Sequence, residues 1–220
     1  MSTFYFNDIP SHVLNRLIAV REPVDNLWNV LIVVEAINCA PKYHQIADDP
    51  FDVAVFTQNC QRFLVQKEDG YFSMSNPFQV IIQDNTNTMH FNCDQLQEQV
   101  GGMLISILKN AITTFKNEGH SHENIIVSIS ENFGLDVQES IRYYDTFASL
   151  ISEEHGYFRF DDDPNNINGN IHPRYHFDIF CTNSSALKVG TPCLVGTDYF
   201  LALADKTVEK KYLADSTQVL

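Results

Sequence analysis

The apolar residues predict an α+β fold, with helices packed on mostly antiparallel sheet in a single domain. Two features of the pattern carry that prediction. Between residues 51 and 92 the apolar residues fall into runs of three to six separated by turn residues, whereas between 93 and 155 they recur at steps of three and four. A third observation sets the scale: 220 residues, 44% of them hydrophobic and 12% aromatic, are enough to bury a core without disulfide staples.

The segment 1–50 reads as helical. Ser11 is placed to cap a helix over about 12–21, with Val13, Leu14, Leu17 and Ile18 on one face and Pro23 ending it, and a buried helix follows from Asn26 to Ala36. In 51–92 the expected strands are 52–57, 62–66, 71–74, 78–82 and 89–91. Glu68-Asp69-Gly70 marks a hairpin and Asp84-Asn-Thr-Asn87 a loop, since Gly and Asn tolerate the positive φ of tight turns.

The segment 93–155 reads as helices with one short strand. The longest helix is expected to start at Asp94, with Gln97 as its capping-box partner. Its stripe is Leu96, Val100, Met103, Leu104, Ile107, Leu108, Ala111, Ile112 and Phe115, closed by Gly119. Ile125 to Ile129 reads as the strand. Asp136 with Glu139 repeats the capping box before a helix carrying Val137, Ile141, Tyr144, Phe147, Ala148 and Ile151, ended by Gly156. The segment 156–220 holds expected strands at 157–161, 174–181 and 186–189 and a terminal helix over about 198–212.

Charge and cysteine usage bound the functional classes. Fourteen basic against 28 acidic residues give a formal charge of −14, which opposes a free-standing grip on nucleic acid. Met1-Ser-Thr-Phe-Tyr-Phe-Asn-Asp8 does not read as a secretory signal, and the longest apolar stretch, around Leu27 to Ile37, is interrupted by Asn29 and Glu35. A cytoplasmic protein without membrane attachment is the expectation. Five cysteines at 39, 60, 93, 181 and 193, with no CxxC pair, suit buried free thiols. No Walker loop, GxGxxG, GxSxG or HExxH is present, so the usual NTPase, dinucleotide and hydrolase signatures are missing.

Chemistry concentrates in His172-Pro-Arg174-Tyr-His176-Phe-Asp178-Ile-Phe180. Side chains alternate along a strand, so His172, Arg174, His176 and Asp178 are expected on one face and Tyr175, Phe177 and Ile179 in the core. A three-residue loop at 183–185 would set Leu187 and Val189 beside Cys181 and Ile179 and bring Lys188 onto the Asp178 face. In 157–161 the same alternation places Arg159 and Asp161 opposite Phe158 and Phe160.

Three readings of this row stand side by side. In one, His172, His176 and Asp178 ligate a divalent metal, for which imidazole and carboxylate suit zinc or manganese. In another, His172, His176 and Asp178 transfer protons while Arg174, Lys188 and Arg159 hold a phosphate. In the last, the row is structural. Weaker candidates are His120-Ser-His122-Glu123, where helix-end electrostatics compete with metal binding, Glu153-Glu154-His155, and Asp161-Asp162-Asp163, read as a solvated turn because it lacks the rest of a calcium loop.

The run from Gly156 to Pro164, the His172-Pro-Arg-Tyr-His176-Phe-Asp178-Ile179 motif and Leu187-Lys188-Val-Gly190 together resemble an uncharacterised bacterial family of similar length, found near mobile-element and phage-defence genes. The resemblance covers about the last third of the chain by motif. It implies a bacterial cytoplasmic protein with a defence or toxin-like role, and carries over His172, His176, Asp178 and Lys188 as matched positions without a reaction. The functional expectation is cleavage of a phosphodiester or nucleotide phosphate around His176. The alternative is a non-catalytic subunit that binds a protein encoded nearby or self-associates. Either way, small anionic or nucleotide ligands are favoured over long nucleic acid.

Overall fold

The computed structural model describes residues 2–39, 42–45, 51–57, 60–153, 156–179, 187–204 and 207–210. These form an α+β protein with six helices and ten strands, every strand pair being antiparallel. They divide into two compact units, one of 1–7, 44–75 and 156–220 and the other of 8–43 and 76–155.

In the first unit a seven-stranded sheet runs in the order β1 (Thr3–Phe6), β2 (Val53–Phe56), β3 (Arg62–Lys67), β4 (Gly70–Ser75), β8 (Phe158–Asp162), β9 (Tyr175–Ile179), β10 (Leu187–Thr191). Helix α6 (Thr197–Ala204) contributes Tyr199 and Phe200 to an apolar cluster with Phe56, Leu64, Phe160 and Phe177. Alternation assigns the faces: Phe158, Phe160, Phe177 and Val189 join this cluster, so Arg159, Asp161, His176, Asp178 and Lys188 stand on the opposite face. Gly70 positions the central strands. At φ +149° it lies opposite Asp161, where a Cβ would fall 1.9 Å from the Phe160 carbonyl oxygen.

In the second unit the helices are α1 (Ser11–Leu14), α2 (Pro23–Cys39), α3 (Gly102–Asn117), α4 (His122–Phe133) and α5 (Val137–Ser152). They accompany a small sheet of β5 (Gln79–Gln83), β6 (Thr88–Cys93) and β7 (Glu98–Gln99). α2 is buried nearly all round, as its apolar run requires, and packs on α3, α5 and β6. Pro23 opens α2 instead of ending a helix before it, the position where a missing N–H costs least.

Several elements differ from expectation. The first helix stops at Leu14 because Asn29 takes over the backbone at Ile18, its Oδ1 accepting from Ile18 N at 2.9 Å and its Nδ2 donating to Ile18 O at 2.7 Å. Asp94 to Gln97 forms the turn between β6 and β7, Gln97 at φ +55°, and the long helix begins only at Gly102; Met103 is 51% exposed. Pairing of Asn92 with Gln99 and of Cys93 with Glu98 outcompetes the capping box there. The expected strand at 125–129 is helix α4, capped by Ser121 and stopped by Gly134 at φ +65°, with Ile125 and Ile129 buried one turn apart. The capping box at Asp136 and Glu139 forms, but the buried arc of α5 is Ser140, Thr146, Phe147 and Leu150, leaving Val137 and Ile141 exposed. Ser140 is buried without penalty because its Oγ donates to the Asp136 carbonyl at 2.8 Å. The terminal helix ends at Ala204, and 207–210 are not helical; the rest of its expected span lies outside the described residues. Cys60 and Cys93 are buried, whereas Cys39 is exposed and Cys193 half-buried; Cys181 lies outside the described residues.

Candidate functional site

The register of three strands builds the site. Arg159 of β8 lies opposite Asp178 of β9, which lies opposite Lys188 of β10, and in the next rank Asp161 lies opposite His176 and His176 opposite Gly190. Residues directly opposite in an antiparallel pair share a face. One rank therefore reads cation, carboxylate, cation, and the other carboxylate, imidazole, glycine. Among the described residues, Asp161, His176 and Asp178 are the one group of three ligand-type side chains whose donor atoms fall within 4.8 Å of one another.

His176 is buried, at 1% exposure, and its Nδ1 sits 2.8 Å from the Pro173 carbonyl oxygen. A carbonyl only accepts, so Nδ1 carries the N–H. Nε2 is thereby turned toward Asp161 Oδ2 at 3.4 Å and Asp178 Oδ2 at 3.8 Å. Gly190 permits this arrangement: a Cβ there would meet Pro173 Cγ at 2.8 Å.

Arg159 Nη2 lies 2.7 Å from Asp161 Oδ2 and 2.8 Å from Asp178 Oδ2, joining the two carboxylates. Lys188 Nζ takes the other oxygen of Asp178, Oδ1, at 2.9 Å. Two cations against two carboxylates leave the cluster balanced before His176 is counted. Burial pushes the Asp161 carboxyl above the ordinary carboxylate value, Arg159 offsetting only part of that. Burial acts on Asp178 in the same direction, but Lys188 and then Arg159 outweigh it and hold that carboxyl low. Two neighbouring carboxylates with opposed shifts suit unlike roles.

The remaining expected residues fall elsewhere. Arg174 precedes β9 and is not part of the row: its Nε and Nη2 clasp Asp162 at 2.6 and 3.1 Å, and its guanidinium lies over the Tyr175 ring. The strand begins one residue later than the alternation assumed, so Arg174 escapes its parity. His172 also precedes the strand, paired through its backbone with Asn168. Its ring stands edge-on to that of His176, centroids 4.9 Å apart, and its Nε2 lies 4.0 Å from Asp163 Oδ2, so it borders the cluster without entering the ligand set. Ile179, expected in the core, is 37% exposed. Lys188 does join the Asp178 face, but the register is two residues from that expected, Val189 meeting Phe177 and Leu187 meeting Ile179; the loop at 183–185 lies outside the described residues.

Asp161 is the residue that motif reading passed over. The alternation of 157–161 placed it beside Arg159, but only the pairing of β8 with β9 sets it against His176. Of the triple aspartate, Asp161 and Asp162 are strand residues, and Asp163 turns the chain, held low by Asn166 hydrogen bonding to its carboxylate. His120, at φ +70°, stacks on Phe115 at 4.0 Å, and His122 and Glu123 open α4. Of the other weak candidate, only Glu153 lies among the described residues, where it caps α5.

No helix among the described residues is long and apolar enough to cross a membrane. No known protein family, no curated protein and no solved structure matches the chain.

Proposed function

We propose that the protein cleaves a phosphate ester, a phosphodiester or a nucleotide phosphate, at the β8–β9–β10 face. The observation that supports this reading is the convergence of the His176 Nε2 with Asp161 Oδ2 and Asp178 Oδ2, flanked by Arg159 and Lys188. An imidazole and two carboxylates supply the groups that activate an attacking water, by proton transfer or through a divalent cation. Two cations beside them supply the charge that a pentacoordinate phosphorus and its leaving oxygen demand. The side chains of Arg159, Asp161, Asp178 and Lys188 are each roughly a fifth to a quarter exposed, so a small anion reaches them. The net charge of −14 opposes long polyanions and favours mono- or dinucleotides.

The test is hydrolysis of bis(p-nitrophenyl) phosphate and of mono- and dinucleotides by the full chain, with Mn²⁺, Zn²⁺ or chelator. Turnover that disappears in His176→Ala and Asp161→Asn supports the reading; turnover unchanged in both variants rejects it. The second reading is a non-catalytic subunit, in the setting of bacterial defence that the C-terminal motifs suggest. It is favoured by Ile167 and Ile171, 53% and 81% exposed on the loop that leads into β9. Stable co-purification with a product of a neighbouring gene, lost when both isoleucines become Ser, supports that reading.

A further inference from the structure

We propose that Asp161, His176 and Asp178 form a binding site for a divalent transition-metal ion, and that Arg159 is the internal competitor that must leave the two carboxylates for the ion to enter. This deepens the phosphate-ester reading, on which it rests for the use of the bound ion.

The argument begins at the imidazole. With the Nδ1 proton committed to the Pro173 carbonyl, the His176 ring in its neutral form presents the lone pair of Nε2 to two carboxylate oxygens in a buried place. Three acceptors then face one another, a repulsive arrangement in a low dielectric. Arg159 relieves the carboxylates, since Nη2 donates to Asp178 Oδ2 and forms an ion pair with Asp161 Oδ2 at 2.7 Å, but nothing in that contact serves the imidazole. A divalent ion satisfies all three at once. At metal–ligand lengths of about 2.1 Å, neighbouring donors of a tetrahedral site stand roughly 3.4 Å apart. The 3.4 and 3.8 Å separations are already close to that spacing. One nitrogen and two oxygens suit Zn²⁺ or Mn²⁺, with the remaining positions open to water or a phosphate oxygen.

Arg159 is poised to leave. Its Nη2 stands beside the same Oδ2 atoms that the ion would take, so the two occupants exclude each other. Its Nε is buried without a hydrogen-bond partner, so its present seat satisfies the guanidinium incompletely. Released, the same side chain would stand at the rim of the site, free to pair with the phosphate. Lys188 holds Asp178 through the other oxygen, Oδ1, and does not stand in the ion's place. Arg159 and Lys188 carry the same charge in the same cluster but differ in this respect, which makes them a matched pair for a test.

The experiment is calorimetric titration of the full-length, chelator-stripped protein with Zn²⁺ alone and with Mn²⁺ alone, no substrate being present. Asp161→Asn and His176→Asn are expected to weaken binding at least a hundredfold. Arg159→Gln is expected to tighten it at least tenfold more than Lys188→Gln does, because loss of one positive charge is common to both and loss of the competitor is not. Should Arg159→Gln melt early, Arg159→Lys, which keeps the charge on a side chain one bond shorter and so draws it back from both Oδ2 atoms, is expected to tighten binding over wild type. Equal effects of Arg159→Gln and Lys188→Gln, or weaker binding in both Arg159 variants, overturn the competition. Binding of neither ion, with nitrogen-15 spectra showing both His176 nitrogens protonated, overturns the site, leaving an imidazolium as the cluster's cation. The activity reading fails separately, if the ions bind as expected and no phosphate ester is cleaved.

Discussion

His176 and Phe177 are neighbours on one strand with opposite obligations. Phe177 is buried among Phe158, Phe160, Tyr199 and Phe200, and Phe177→Ala is expected to lower stability by about 3 to 5 kcal/mol, as for other large aromatic truncations. His176→Ala removes one hydrogen bond to Pro173 and is expected to cost only about 1 to 2 kcal/mol while abolishing activity. Thermal melts beside the hydrolysis assay check both; an unfolded His176→Ala protein would make the cluster a structural one. Asp161 gives a sharper test of the same division. Its carboxyl is raised in the folded state, so the native protein binds its proton more tightly and stability falls as pH rises from the unfolded value through the raised one. At neutral pH the ionised group is then a liability, and Asp161→Asn is expected to melt no lower than wild type although hydrolysis is lost. A clear fall in the melting temperature at pH 7 would contradict that.

At the scale of elements, the site depends on how closely β10 lets the chain before β9 approach. Gly190→Ala places a Cβ against Pro173 and is expected to displace the carbonyl that orients His176, lowering activity more than stability. The readout is the His176 nitrogen-15 chemical shift, which should move with loss of the Nδ1 hydrogen bond, and no change in it would refute the mechanism. The capping box of α5 offers an independent check on the reading of helices. Asp136 accepts from Glu139 N at 2.8 Å, and Asp136→Ala is expected to cost about 1 kcal/mol in a denaturant melt.

For the whole molecule, acid is the revealing perturbation. Asp162 is held low by Arg174, Asp178 by Lys188 and Arg159 against burial, and Glu35 by Lys109 and Arg16 against burial. For each, the unfolded chain takes up protons first, so the stability they contribute is complete above the ordinary carboxylate range near about pH 4 and is lost as pH falls through the lowered values. Asp161 has the opposite sign, but it stands against these three and Asp163, which Asn166 holds low. The melting temperature is therefore expected to drop on acidification below about pH 4, and less steeply in Asp178→Asn. A melting temperature that is flat down to pH 2 would remove these ion pairs from the account of stability.

The sequence by itself determined which residues could share a strand face, because side chains alternate with a period of two whatever the partner strand. Arg159 with Asp161, and His176 with Asp178, follow from that, as do the capping box at Asp136 and the turn at Gly70. It does not determine where a strand starts, and alternation alone puts Arg174 and His172 on a row that begins only at Tyr175. Nor did it separate helix from strand in the short apolar run at Ile125 to Ile129, where a spacing of four competes with β-branched composition. Only the tertiary structure decided that β8 lies beside β9, with Asp161 against His176 and Arg159 across both carboxylates. Pairing of distant strands is chosen by the burial of Phe160 against Phe177 on the other face. The chemistry of the site is thus set by packing energy that no local pattern along the chain records.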